Sequence, residues 1–381
     1  MIEQVDAGRL RDLTLALVEV ESPTGQTAEV ASLYAERLGQ IGMEVELLDG
    51  VFPQTPTVIG RLQGSRPGPT IVLNGHLDTV PIAHDPPRIE GGLIYGRGAA
   101  DMKGACACAA EAAAALVHGG SFAGELVIVA IGLHEAPGGR GEDLAWLLGE
   151  HGFRADMAIV CELSPPGSVV VSHMGQATAE ITISRPGMPT HELLTPKGTP
   201  HPLHAAARAV EAIRARSEEL AAVEHPWVGA ETYFVGELHG GDFYNRFPAT
   251  ARIMGTRRFA HGNTLEAVEE EYRSLLATVA AETGCTIDLE LKLVRGPYSI
   301  ASDHPLLIAL KEAYATVTGE ELTAVGIKTV ADGALFAAAG IPTVYHGPSG
   351  EGAHADLEWV AIAELVRATE VYVTMLRRLL T

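Results

Sequence analysis

The sequence predicts an α/β protein in two parts: a layered domain around a buried sheet, and a ferredoxin-like unit inserted into it. Three observations predict this. Near-continuous apolar runs such as "TIVLNGHL" and "ELVIVAIGL" lie among helical stretches, the mark of a sheet covered on both faces. In the middle of the chain "ATAEITIS" alternates apolar and polar residues instead, as a half-solvated strand does. The chain has 381 residues, more than one ordinary core organises.

In chain order, residues from about 8 to 40 read as helical. "PTVIGRL", "TIVLNGHL", "ELVIVAIGL" and "DMAIVCEL" read as strands, and residues 103–118 as a helix. The second part opens with "ATAEITIS", followed by a helix from His201 to Leu220 and the strands "ETYFVGEL" and "TARIMGTRRF". A helix from Thr264 to Thr283 sets Leu265, Val268, Tyr272, Leu275 and Val279 on one stripe, and "CTIDLELKL" closes the set. That order is βαββαβ, the ferredoxin-like arrangement, at an ordinary domain length. The tail returns to the first style, with helices over Pro305–Thr318 and Ala331–Ala339 and the strand "IPTVYHG". The expected division is 1–174 with 294–381 for the large domain and 175–293 for the insertion.

Composition narrows the function. Apolar residues make up 47% of the chain and charged ones 20%, which excludes wholesale disorder. A net charge of -21 argues against nucleic-acid partners, which need a basic face. Cys106, Cys108, Cys161 and Cys285 form no CxxC pair, the usage of a reduced, cytoplasmic protein. The N-terminal stretch reads as an amphipathic helix rather than a signal peptide. No run reaches the ~18 apolar residues of a membrane span.

Metal-type side chains recur at element ends. In "NGHLDTVP", His76 and Asp78 stand at i, i+2 after an apolar strand and share a face. The pair suits joint ligation or orientation of the imidazole, or simply a turn around a satisfied histidine. Asp101 in "GRGAADMKG" opens a helix and by itself reads as an N-cap. Gly96 and Gly98 fit neither a P-loop nor GxGxxG. Glu135 follows an apolar strand, where sheets of this kind place ligands, and Glu162 follows another. His346, His354, Asp356 and Glu358 crowd the late segment "HGPSGEGAHADLEWV". Nitrogen and oxygen donors in such a set suit hard and borderline divalent metals.

The order "GHLDTVP", "GRGAADMKG", "HEAPGGRG", "CEL", "GAHADLEW" resembles the M20-type zinc aminoacylases and peptidases, among them acetylornithine deacetylase, succinyl-diaminopimelate desuccinylase and glutamate carboxypeptidase. The resemblance spans nearly the whole chain. It implies a zinc-exopeptidase-like sheet sandwiched by helices, with the insertion as a dimerisation lid. It implies that His76, Asp101 and Glu162 hold a first zinc, that Asp101 bridges to a second, and that His354 binds the second. Asp78 would hold His76, and Glu135 would be the general base toward water at the metal. From the lid, His191 in "GMPTHELLTPKG" would reach the partner subunit's site and stabilise the oxyanion. Asn245 and Arg258 would hold the substrate carboxylate, with Arg257 the adjacent alternative to Arg258. The implied protein is a cytoplasmic homodimer that hydrolyses an N-acyl amino acid or small peptide with a free carboxylate. The implied metal is Zn2+, with Co2+ or Mn2+ able to replace it.

One position departs from the pattern. The family shows Asp-Glu-Glu before its glycines, with the second glutamate on the second zinc; here the letters are His134, Glu135 and Ala136. Alanine offers no ligand. Three readings stay open: one tight metal with a weak or empty second position, His134 as a replacement ligand, or a scaffold without catalysis that binds a small molecule. The acyl group and the amine are not readable from the sequence.

Overall fold

The computed structural model describes residues 5–135, 138–329 and 331–381. The chain divides into two units. The first runs to Val171 and includes Ile300–Val325 and Leu335–Thr381; the second is Ser172–Ser299 with Gly326–Ala334.

The principal helices are α1 (Ala7–Glu19), α2 (Ala28–Ile41), α3 (Gly104–His118), α4 (Glu142–Leu148), α5 (Pro202–Leu220), α6 (Leu265–Thr283), α7 (Pro305–Thr318), α8 (Gly333–Ala338) and α9 (Ile362–Leu379). The strands that build the two main sheets are β1 (Glu44–Leu48), β2 (Thr57–Gln63), β3 (Arg66–His76), β4 (Ala123–Ile131), β5 (Met157–Val160) and β6 (Ser168–His173), then β7 (Gly175–Ser184), β8 (Thr232–Gly240), β9 (Thr250–Phe259), β10 (Thr286–Arg295) and β11 (Thr343–Tyr345).

The helix read over residues 8–40 is two helices. Pro23 removes a backbone donor and Gly25 sits at φ 91°, so the chain turns between α1 and α2. Asp6 caps α1 by accepting the N–H groups of Gly8 and Arg9.

In the first unit the sheet order is β1-β2-β4-β3-β5-β11-β6. The neighbours β4, β3 and β5 are mutually parallel, with His76 opposite Ile131 and Asn74 opposite Val160. Leu126 to Ile131 are all buried, which requires cover on both faces of that strand. α3 is alanine-rich and buried almost throughout, and packs against α1, α2 and α9. The sequence reading did not foresee β1, β6 or α9; α9 buries Leu365, Ala368, Val371, Tyr372, Met375 and Leu376 at helical spacing.

The second unit carries the expected βαββαβ order. Its antiparallel sheet runs β8-β9-β7-β10, the ferredoxin-like arrangement. Ala177, Ala179, Ile181 and Ile183 of β7 form its core with Ala205, Ala209 and Ile213 of α5 and Val268, Tyr272, Leu276 and Val279 of α6. Leu276 rather than the expected Leu275 is the fully buried member of that stripe. The sequence reading assigned residues 326–334 to the large domain, but their polar contacts lie in the second unit. Arg295 Nη2 meets Asp332 Oδ1 at 3.3 Å, and Arg258 Nη1 donates to the Lys328 carbonyl at 2.9 Å.

Among the described residues no helix is long and apolar enough to cross a membrane. All four cysteines are free and buried, and burial pushes the Cys106 and Cys108 thiols up to about 12. Neither is a thiolate near neutral pH.

Candidate metal centre

Three parallel strands deliver side chains to one edge of the first unit's sheet. His76 ends β3, His134 and Glu135 follow β4, and Glu162 follows β5. Open α/β sheets bind ligands in this place, beyond the carboxyl ends of neighbouring strands. Asp101 reaches the same place from the turn that leads into α3. His354 reaches it from a loop in which its own φ is 61°, left-handed for a residue with a side chain.

The groups meet at short range. His76 Nε2 lies 3.1 Å from Asp101 Oδ1 and 3.6 Å from Glu162 Oε2. His354 Nε2 lies 3.4 Å from Asp101 Oδ2 and 3.1 Å from Glu135 Oε1. The two oxygens of Asp101 are thus divided between two histidines. His134 stacks on His76, with ring centroids 4.2 Å apart and planes 1° from parallel, and its Nε2 stands 3.9 Å from Glu162 Oε2. Donor atoms of His76, His134 and Glu162 lie within 4.8 Å of one another, as do those of His76, Asp101 and Glu135. Position 136, where the sequence departs from the family pattern, lies outside the described residues.

Electrostatics follow from this crowding. Burial works against charge on His76, but the hydrogen bond to Asp101 and the nearby carboxylate of Glu162 outweigh it and hold the imidazole well above its ordinary pKa. Burial likewise opposes charge on Asp101, yet His354 and His76 keep its carboxyl far below the usual range. The hydrogen bond to Asp101 raises His354 to about 9. Burial raises Glu135 above an ordinary glutamate.

These residues fit a divalent cation. Protons on two imidazoles here balance a surplus of carboxylates, and a metal ion takes over that role when histidines ligate as neutral rings. Glu162 Oε2 is buried and accepts no hydrogen bond among the described residues, an orphaned anionic oxygen aimed at His76. His76 Nδ1 donates to the Asp78 carbonyl at 2.9 Å, so in the neutral ring that a metal requires Nε2 is the lone-pair nitrogen.

The surroundings refine the expected role of Asp78. Its main-chain carbonyl, not mainly its carboxylate, orients His76; Oδ1 is 3.5 Å away. The carboxylate accepts the Thr24 hydroxyl at 2.9 Å and the N–H groups of His134 at 3.3 Å and Glu135 at 2.8 Å. Two further carboxylates support the site: Glu358, which the sequence offers only as one of the candidates in its late segment, and Asp143, which it does not single out. Buried Glu358 accepts the N–H groups of Ala100 and Asp101 at 2.9 and 3.0 Å, and pairs with Arg97 at 2.7 Å. Buried Asp143 accepts the Gly132 N–H at 2.7 Å at the root of the Glu135 loop. In that loop a Cβ on Gly139 would collide with the Leu133 carbonyl, which explains a glycine there.

In the second unit His191 pairs with Arg246 in a two-residue antiparallel ladder. Its Nδ1 accepts the Leu193 N–H, which puts the neutral ring's proton on Nε2; the Asn245 side-chain amide, 3.2 Å away, must then turn its oxygen toward that proton. Arg257 is fully buried against Glu231 and stacked on Tyr233, a core residue rather than a substrate ligand. Its neighbour Arg258 is partly exposed.

Comparison with known proteins identifies the class. The profile described as peptidase family M20/M25/M40 matches residues 72–378. Succinyl-diaminopimelate desuccinylase of Methylobacterium radiotolerans is 28% identical over 93% of this chain and 93% of its own length. N-formyl-4-amino-5-aminomethyl-2-methylpyrimidine deformylase of Halalkalibacterium halodurans is 28% identical over 99% of this chain and 96% of its own. Among solved structures, aminopeptidase PepT from Bacillus cereus superposes with a TM-score of 0.82 at 22% identity, covering 99% of this chain and 100% of that one. A dinuclear metal binding peptidase from Bacillus subtilis gives 0.74 at 18% identity, with 98% of each chain covered. Fold and comparisons together define a hydrolase of the metallopeptidase class. The chain belongs to peptidase family M20/M25/M40.

Proposed function

We propose that this protein hydrolyses the amide bond of an N-acyl amino acid or small peptide bearing a free carboxylate. The observation that carries the reading is the division of Asp101 between His76 and His354, with Glu135 and Glu162 closing the ring around them. His76, Asp101 and Glu162 would hold one tight divalent ion, zinc in the first instance and cobalt or manganese as substitutes. His354 with Asp101 would offer a second, weaker position, because Ala136 supplies no donor. Two relatives named for removing a succinyl or a formyl group support deacylation as the reaction type.

A divalent metal bound there supplies Lewis acidity, which polarises the scissile carbonyl and acidifies water. Glu135 takes the proton from the attacking water and passes it to the departing amine nitrogen. Its burial favours that task, since a carboxylate with a raised pKa is the better base near neutral pH. In the second unit His191 Nε2–H would donate to the oxyanion at a partner subunit's site, and Asn245 and Arg258 would hold the substrate carboxylate. The working form would then be a cytoplasmic homodimer joined through the insertion.

Glu135→Gln tests the base. It should retain metal and lose roughly 10²- to 10⁴-fold in kcat. Amide hydrolysis at the wild-type rate would exclude Glu135 from the mechanism.

A further inference from the structure

We infer that His134 is a ligand of the first metal position, joining His76, Asp101 and Glu162. The inference rests on the metal-dependent reading above and goes beyond the ligand set it names.

Position 134 is where the resemblance led to a carboxylate, and the structure brings its imidazole beside His76 and Glu162. His134 Nε2 stands 3.9 Å from Glu162 Oε2, and His76 Nε2 stands 3.6 Å from the same oxygen. Zinc–donor bonds of about 2.0–2.2 Å put two ligands of one ion roughly 3.5 Å apart, so the distances to Glu162 suit one ion once the His134 ring is aimed at it. The shared oxygen is the buried one that accepts no hydrogen bond among the described residues. A cation between the three donors satisfies it.

The backbone already holds the loop for this. The Asp78 carboxylate accepts the backbone N–H of His134, and the Asp78 carbonyl accepts Nδ1–H of His76, so one residue holds the His76 ring and the main chain that carries His134. An imidazole binds metal in its ring plane, and the two rings are parallel. Joint ligation therefore requires the His134 ring, the more exposed of the two, to turn toward Glu162. With Asp101 the protein offers four donors, and water would enter as a fifth ligand, a coordination number that catalytic zinc reaches. Such a site needs no side chain at position 136. A chain that lacks that ligand keeps a complete first site.

The test is Co2+ binding to metal-depleted protein, followed by chelator competition and by visible absorption of the Co2+ form. His134→Phe keeps a flat ring against His76 and removes the nitrogen donors; His134→Asp restores a donor. The expected result is a loss of about 100-fold or more in Co2+ affinity for the phenylalanine variant, beyond the ~10–100-fold that an outer partner contributes. Its absorption bands should shift, and the aspartate variant should recover part of the affinity. Wild-type affinity and an unchanged spectrum in His134→Phe would overturn the assignment. Should that variant not fold, wild-type protein with one equivalent of Co2+ decides. Two paramagnetically shifted, exchangeable imidazole N–H resonances support it, and one refutes it. These readouts are separate from turnover, so failure of the hydrolase reading and failure of this assignment are distinguishable.

Discussion

The Asp78 carboxylate accepts the backbone N–H of Glu135 at 2.8 Å. The same carboxylate accepts the N–H of His134 and the Thr24 hydroxyl, while the Asp78 carbonyl accepts His76 Nδ1–H. One residue thus sets the base loop with its side chain and the metal-facing histidine with its main chain.

That separation predicts a split phenotype for Asp78→Asn. The main-chain bond to His76 survives the substitution, so metal affinity should change little. The Glu135 loop loses a charge-assisted acceptor, and a small displacement of the base should cost ~10- to 100-fold in kcat. Isothermal titration with Zn2+ beside steady-state kinetics checks both halves. A large loss of metal with unchanged kcat would reverse the roles of the two groups.

His346 predicts acid sensitivity. The ring is buried between Tyr314 and Tyr372, and burial pushes it down to about 4. Above the unfolded value of about 6.5 it is neutral in both states and contributes nothing to pH dependence. As pH falls from about 6.5 to 4, the unfolded chain takes up a proton that the folded chain refuses, so stability falls and then levels off. The loss attributable to His346 approaches about 3 kcal/mol at the acid end. His173 is shifted the same way, also to about 4, so it shares the effect. Urea unfolding of His346→Phe across this window should show a shallower acid loss than wild type. An identical slope would mean that the ring is protonated in the folded protein.

A site shared between subunits predicts complementation. His191→Ala and Glu135→Ala should each be inactive alone. After subunit exchange the mixed dimers should regain part of the wild-type turnover, since one of their two sites is intact. Continued inactivity, with exchange proven by mass, would place each site within a single chain.

Much of this was legible in the sequence, for identifiable reasons. The inserted unit showed because "ATAEITIS" changes the hydrophobic period from the buried runs before it, and the βαββαβ order follows element by element. His76, Glu135 and Glu162 showed because each stands just past a buried strand. Asp143 did not, and Glu358 showed only as a candidate without its role. Glu358 holds the Asp101 turn from 257 positions away, and a glutamate in a polar loop carries no local mark of that contact. The turn at Pro23 and Gly25 was hidden by helical periodicity on both sides of it. The grouping of residues 326–334 with the second unit is not legible in the sequence, because nothing local shows that Asp332 meets Arg295.

The most direct test of the account is amine release from a panel of N-acyl amino acids and dipeptides by one preparation measured three ways: as purified, after metal removal, and after Zn2+, Co2+ or Mn2+ is restored. The account predicts hydrolysis of substrates with a free carboxylate, loss of turnover on metal removal, and recovery when metal returns. Hydrolysis that persists after complete metal removal would contradict it, as would a fully metal-loaded protein that binds these compounds and cleaves none.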